Sequence, residues 1–280
     1  MLKQLDKRTI AHDHAALVAA CDAGVGLCTV TEIDGSFSRR TGAQLAVLPD
    51  GSTIGSLADG CLEAQLAADC LKLNAKTVCR YGQGSPLIDF RLPCGGGLDI
   101  TIDPYPDRHS LRKAVKRLDD RRPAEVAITR DYIRRYVPHL RVLAYGEGPE
   151  LDMVEKLSAT MGIEISARRK RDLSLGRADG NMKLDGWTAC LFLFHDHEWE
   201  LVLLEQALAT DAFYIGAQGG ERARTERVLA LAARGLSEER IARIRSPIGL
   251  IGSCKSPETL ALSAIAEIVG EYEAINAASY

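Results

Sequence analysis

The chain has 280 residues, 46% of them hydrophobic. That is enough to bury about three quarters of the unfolded surface and to divide into two domains. With 35 Lys and Arg against 38 Asp and Glu the formal charge is −3, which argues against general polyanion binding and so against a nucleic-acid partner.

The first stretch is charged, and its apolar character is broken by His12, Asp13, His14 and Asp22, so it does not read as a secretory signal. No window reaches about 18 uncharged apolar residues, so no membrane span is expected and the cytoplasm is the expected compartment. Residues 1–105 read as one small α+β or sandwich-like unit. Helices are expected near 11–22 and over 61–73, and strands over 25–33, 43–48, 77–81 and 98–102. Turns at Asp34-Gly35, Pro49-Asp50-Gly51 and Gly95-Gly96-Gly97 bound the strands.

Residues 106–137 read as a basic connecting helix. Between 107 and 141 there are eleven Lys and Arg against five Asp and Glu; Leu111, Val115 and Leu118 form a stripe, and Arg121-Arg122-Pro123 ends it. A solvated helix is the simple reading, with a patch for an anionic ligand or an acidic protein as the alternative.

From 138 to 280 the pattern alternates strand and helix. Residues 140–145 form a short strand ending at Gly146, followed by a helix with Leu151, Val154, Leu157 and Met161 on one face. Residues 163–167, 189–194 and 212–215 follow as strands, the last two as the apolar runs of buried parallel strands. Helical segments lie near 197–209 and 220–234, and Ser237 and Ser256 cap two more. The fold class is thus α/β, a small α+β N-terminal domain followed by a Rossmann-like doubly wound C-terminal domain. Residues 168–187 lack periodicity and read as a functional loop or a concealed element.

Several places carry chemistry. Gly146 and Gly148 end a strand and open a helix, as a dinucleotide-binding turn requires. Leu151 takes the third glycine position, and Arg168-Arg169-Lys170-Arg171 stands where an acid would hold a ribose. That basic run suits a phosphorylated ribose or a solvated loop. Gly216 precedes a helix carrying Arg222 and Arg224, a pair suited to an anion. His195-Asp196-His197 closes a strand near the ligand crevice. It reads as a ligand contact, a proton-transfer group, a metal pair or, through Asp196, a helix cap.

The eight cysteines, Cys21, Cys28, Cys61, Cys70, Cys79, Cys94, Cys190 and Cys254, form no Cys-x-x-Cys pair, which argues against a zinc ribbon. Cys61 and Cys94 stand out because glycines flank them: Gly60 before Cys61, and Gly95 and Gly96 after Cys94. Cys61 also begins a predicted helix, a position that favours thiolate. Two soft sulfurs suit a transition metal or a sulfur-handling step. Cys21, Cys28, Cys70, Cys79 and Cys190 read as small core residues, and Cys254 stays open.

These segments in order resemble the XdhC/CoxI family, accessory proteins of molybdenum hydroxylases such as xanthine dehydrogenase. The resemblance rests on Gly35-Ser36-Phe37-Ser38-Arg39-Arg40, on Gly60-Cys61-Leu62-Glu63 and on Cys94-Gly95-Gly96. It continues through His195-Asp196-His197, Tyr214-Ile215-Gly216 and Ser246-Pro247-Ile248-Gly249. It implies a chaperone, rather than a turnover enzyme, that binds the molybdenum cofactor (molybdopterin), protects it during sulfuration and hands it to an apo molybdenum hydroxylase. On that resemblance Cys61 and Cys94 would contact molybdenum or the travelling sulfur, with Glu63 beside them as a catalytic group. Arg39 and Arg40 would hold the cofactor phosphate. Gly60, Gly95, Gly96, Gly146, Gly148, His195, Asp196, His197, Gly216, Arg222 and Arg224 would complete the cofactor contacts. A cysteine desulfurase-type sulfur donor and a homodimer are the expected associations. An NAD(P)-dependent oxidoreductase built on the C-terminal domain is the alternative.

Overall fold

In the computed structural model, which describes residues 14–58, 60–86 and 95–277, the chain divides into two units, Met1–Val137 and Pro138–Tyr280.

The first unit is built on an antiparallel sheet of β1 (Gly26–Asp34), β2 (Gln44–Val47), β3 (Thr53–Gly55), β4 (Thr77–Gly82) and β5 (Gly97–Asp103), in the order β3-β2-β1-β5-β4. Side chains alternate across a strand, so β1 serves two cores. Cys28 and Val30 join Leu62, Leu66 and Cys70 of the helix over Cys61–Lys72. Leu27 faces the other way, against Leu17 and Leu111. The short helix α1 (Ala15–Ala19) therefore lies on one face of the sheet and α2 (Cys61–Lys72) on the other. Because neighbouring strands run in opposite directions, the ends of β1, β3 and β4 and the starts of β2 and β5 share one edge. The loops 35–43 and 56–60 and residues 95–96 all leave from that edge.

Most of the first unit follows the expected elements; β3, only three residues long, is an addition. The basic stretch differs more. Its stripe forms α3 (Arg108–Asp119), capped by Asp107, whose side chain accepts from the amides of His109 and Ser110. The chain then makes a hairpin of β6 (Ala124–Ala127) and β7 (Ile133–Tyr136). Ala124, Val126 and Tyr136 are buried in it, and Arg134 lies over the Tyr136 ring. Burial with a period of two, through Ala124 and Val126 on β6 and Arg134 and Tyr136 on β7, distinguishes this segment from a solvated connector.

The second unit is a parallel sheet of β8 (Arg141–Gly146), β9 (Glu164–Arg168), β10 (Thr188–Leu193), β11 (Tyr214–Ala217) and β12 (Ile244–Arg245), ordered β12-β11-β10-β8-β9. Strand β10 is wholly buried and splits its side chains between two cores. Ala189, Leu191 and Leu193 meet α4 (Pro149–Thr160) and α8 (Pro257–Ala277). Cys190 and Phe192 meet α5 (Leu201–Leu208) and α6 (Glu221–Ala233). A four-residue helix, α7 (Glu238–Ile241), is capped by Ser237. The doubly wound order reverses between β8 and β10, and ligands of such sheets bind at the carboxyl ends of the strands flanking that reversal.

Arg168 closes β9, and the rest of residues 168–187 gains a three-residue 3-10 turn, Lys170–Asp172, and no other helix or strand. What holds them is Asp179, buried and accepting from Tyr145 Oη at 3.0 Å, Arg168 Nε at 3.2 Å and the Asn181 amide at 2.9 Å. Gln206 clasps the main chain of Asp179 in both directions, at 2.9 and 2.8 Å. A loop fixed by polar bonds needs no apolar period.

Gly146 packs where β8 meets β10: a Cβ there would stand 2.7 Å from the Leu193 carbonyl oxygen and 2.8 Å from the Leu193 Cβ. Gly146→Ala is expected to destabilise the protein by about 1–3 kcal/mol through overpacking. The shift of the midpoint of a urea unfolding curve measures it.

Candidate functional site

In the first unit, the edge that gathers the loops is organised by Glu63. Its side chain turns back from the first turn of α2, and Oε1 accepts from the amides of Leu57 at 2.8 Å and Ala58 at 2.6 Å, while Oε2 accepts from Gly60 at 2.9 Å. Burial alone would raise this carboxyl, but the bonds from Ala58, Leu57 and Gly60 outweigh it and hold the group below the usual glutamate range. Both oxygens are thus committed to main chain. These bonds give Glu63 a positioning part, since they hold the loop that leads to Cys61.

That loop delivers Cys61. Gly60 caps α2 with φ 105°, in the left-handed region where glycine is favoured, and a side chain there would meet open space. Cys61 follows at the helix start and is exposed. Arg39, on the neighbouring loop, donates from Nε to the Ser56 carbonyl at 3.2 Å and from Nη2 to Ser56 Oγ at 3.4 Å. It ties the loop after β1 to the loop before Cys61. Arg40 is its neighbour in the chain on the same loop. Gly96 allows close approach to the Asp34 carbonyl, 2.6 Å from a would-be Cβ, whereas Gly95 faces open space. The structure therefore brings Arg39, Arg40, Gly60, Cys61, Glu63, Gly95 and Gly96 to one sheet edge. Cys94 lies outside the described residues.

The other cysteines behave differently. Cys28, Cys70 and Cys190 are buried, and Cys21, Cys79 and Cys254 are half-buried. The hydrogen bond with Cys70 and burial push the Cys28 thiol well above the usual range. Burial does the same to Cys190. Cys21 and Cys79 are raised in the same way by burial. Cys61 is the exposed thiol among the described residues.

The second unit rearranges the expected contacts at its carboxyl edge. Gly148 adopts φ 91° at the start of α4, the turn geometry expected of it. The helix that follows is poorly suited to a pyrophosphate: Pro149 has no N–H, and Glu150 and Asp152 occupy the first turn. Three of the four residues of the basic run are paired internally, while Arg171 is exposed. Arg168 pairs with Asp179, Arg169 with Asp152 and Glu155, and Lys170 with Asp196 while lying over the Trp199 ring. Gly216 lies within β11, where a Cβ would meet the Tyr214 ring at 2.5 Å and Ile248 at 2.9 Å, so its smallness serves packing. Arg222 and Arg224 are exposed and pair along their own helix with Glu226 and Glu221.

The arginine that does enter the edge is Arg227, one turn after Arg224 and almost fully buried. Its Nε donates to Glu200 Oε1 at 2.8 Å, Nη1 to Ser246 Oγ at 2.9 Å and Nη2 to the Gln218 carbonyl at 2.8 Å. The signal for it was periodic: Arg227 precedes the buried Leu231 by four residues and shares its face. His197 Nδ1 reaches Glu200 Oε1 at 3.0 Å, and Asp196 caps the turn over His197–Trp199 by accepting from the Glu198 amide. His195, exposed, has its Nε2 3.5 Å from Glu150 Oε2. Among the described residues no three His, Cys, Asp or Glu side chains could jointly hold a metal ion, and no helix is long and apolar enough to cross a membrane.

Glu63→Gln is expected to cost about 1–3 kcal/mol, because its amide group would present a donor to at least one of the three N–H groups that Glu63 now accepts from. The folded carboxyl is depressed, so its contribution is present above the unfolded glutamate value and is lost as pH falls through the folded value. Unfolding curves of the parent and variant should therefore differ most at neutral pH and converge in acid.

Known proteins frame these sites. The model described as the XdhC and CoxI family matches residues 20–82, and that described as the XdhC Rossmann domain matches residues 142–268. The molybdenum cofactor insertion chaperone PaoD of Escherichia coli (strain K12) is 31% identical over 267 residues, covering 88% of this chain and 82% of PaoD. A solved Bacillus halodurans protein described as a xanthine dehydrogenase matches with a TM-score of 0.67 at 18% identity, over 92% of this chain and 95% of that one, a likeness of fold. With both halves matched in order and a relative of this identity spanning most of its length, the chain belongs to the XdhC and CoxI family.

Proposed function

We propose that the protein is a molybdenum cofactor chaperone. It holds the cofactor as cargo, supports its sulfuration and inserts it into an apo molybdenum hydroxylase of the xanthine dehydrogenase type. The observation that carries this reading is the exposed Cys61 thiol at the start of α2, on a loop that Glu63 fixes and Arg39 braces. A soft sulfur suits molybdenum, and an adjacent guanidinium suits a phosphate. The kinship with PaoD, whose name describes insertion of this cofactor, supports the cargo. Cys94 and Arg40 join the same site in this reading. The sulfur donor is of the cysteine desulfurase type, and the working assembly is a twofold homodimer, the commonest arrangement of soluble proteins. The compartment is the cytoplasm, where thiols such as Cys61 stay reduced.

An NAD(P)-linked oxidoreductase has less support. The doubly wound sheet and the Gly148 turn would accommodate a dinucleotide, but Pro149 and the acids of the first α4 turn disfavour its phosphates, and Arg168, Arg169 and Lys170 are already paired with acids.

Protein purified from a host that makes the cofactor should release a fluorescent pterin after acid oxidation. Cys61→Ala and Cys94→Ala should abolish most of that signal, and Arg39→Ala should lower it about tenfold. Unchanged pterin in both cysteine variants would remove the thiols from the site. A parent protein that carries no pterin and activates no apo-hydroxylase would overturn the chaperone reading itself.

A further inference from the structure

Within the first unit, the face of β1 that carries Leu27 and Thr29 is turned away from α2 and Cys61. A cavity of about 180 Å³ lies on that face, walled by β1, the end of β5, the start of α3 and β6. Leu27 and Leu111 form its apolar side.

The polar groups around it are only partly matched, and both charge signs are present. Lys76 Nζ reaches the Ile128 carbonyl at 2.9 Å and pairs with Asp103 Oδ2 at 2.8 Å, which leaves one of its N–H donors. Asp103 accepts besides from the Tyr105 amide at 3.1 Å, so lone pairs remain on both of its oxygens. Thr29 is fully buried at the cavity wall. Its Oγ1 accepts from Gln44 Nε2 at 2.9 Å, and its own O–H has no acceptor among the described residues.

The remaining wall is a strand edge. Ile128 donates to the Tyr132 carbonyl, and the register sets Val126 opposite Arg134 and Ala127 opposite Ile133. Bonded and non-bonded pairs alternate along an antiparallel ladder, so the main-chain groups of Glu125 and Ala127 point away from β7. Both residues line the cavity, and β7 is the strand partner of β6 among the described residues.

Charge and size select the occupant. Asp103, Asp107 and Glu125 outnumber Lys76 in the lining, which disfavours a free phosphate. No three His, Cys, Asp or Glu side chains could hold a metal ion among the described residues. The volume is below the roughly 300–1,000 Å³ of drug-sized ligand sites. A small molecule with both an ammonium and a carboxylate meets these conditions.

We propose that the cavity binds a small free α-amino acid. Its carboxylate takes the remaining Lys76 N–H, the Thr29 hydroxyl and an outward amide of β6. Its ammonium takes Asp103 and an outward carbonyl of β6, and its side chain lies on Leu27 and Leu111.

Calorimetric titration of the full-length protein with L-alanine, L-serine and L-cysteine tests this, with propylamine and propionate as half-ligands and L-tryptophan as an oversized one. At least one small amino acid should bind with Kd of about 1 mM or tighter, and each half-ligand and L-tryptophan about tenfold or more weaker. Lys76→Met, which removes the ammonium, and Ser110→Leu, which narrows the space, should each weaken binding about tenfold in protein that still unfolds cooperatively. Should Lys76→Met fail to fold, Ser110→Leu decides alone. No binding of the small amino acids at millimolar concentration overturns the proposal. So does propylamine, propionate or L-tryptophan binding as tightly as they do, or an affinity unchanged in the folded variants.

Discussion

A buried carboxylate must find donors, and in the first unit Glu63 finds them in the backbone of the loop that leads to its own helix. Three amides converge on its two oxygens, and the loop 56–60 is thereby fixed relative to the first turn of α2. The consequence reaches outward. Gly60 is held in a left-handed turn, Cys61 emerges exposed at the helix start, and the Ser56 carbonyl is left to accept from Arg39. The thiol and the guanidinium come from separate loops, but one carboxylate sets the place of both.

The same physical device recurs in the second unit with different residues. Asp179 gathers Tyr145, Arg168 and the Asn181 amide, which holds twenty residues of irregular chain against the sheet. Glu200 accepts from Arg227, which ties three segments together, and lies 3.0 Å from His197 Nδ1. Burial raises the Glu200 carboxyl, while Arg227 and His197 act against that rise. Asp179 moves the other way: burial would raise it, but the Asn181 amide, Tyr145 and Arg168 prevail and lower it. Buried acids thus serve as staples for loops that have no strand or helix partner to satisfy their backbone groups.

The two edges differ in what they leave over. In the first unit, the carboxylate accepts three main-chain amides, and the Cys61 thiol and Arg39 stay exposed. In the second, acceptors remain unmatched after the internal pairs are made. The arginine-rich segments that seemed ready for phosphate in the second unit are instead spent on nearby acids, as Arg169 is on Asp152 and Glu155.

Much was legible in the residues themselves. Period-two strands in the first unit, apolar runs such as 189–194 and the capping serines led to the correct elements, because local periodicity and caps are written in neighbouring positions. The Gly60-Cys61 turn was visible for the same reason, as was the cap at Asp196. The hairpin over 124–136 was not, since arginines masked its two-residue period, and 168–187 was not, since hydrogen bonds from distant residues hold it. Glu63 was noticed, but its bonds to three amides were not legible, because only the fold shows them. Arg227 was passed over for Arg222 and Arg224, although helical spacing alone puts it on the buried face. What the sequence by itself determined was the set of elements and the kinds of chemistry available. What only the tertiary structure decided was which charged groups neutralise one another, because ion pairs and buried acceptors depend on contacts between residues far apart in the chain.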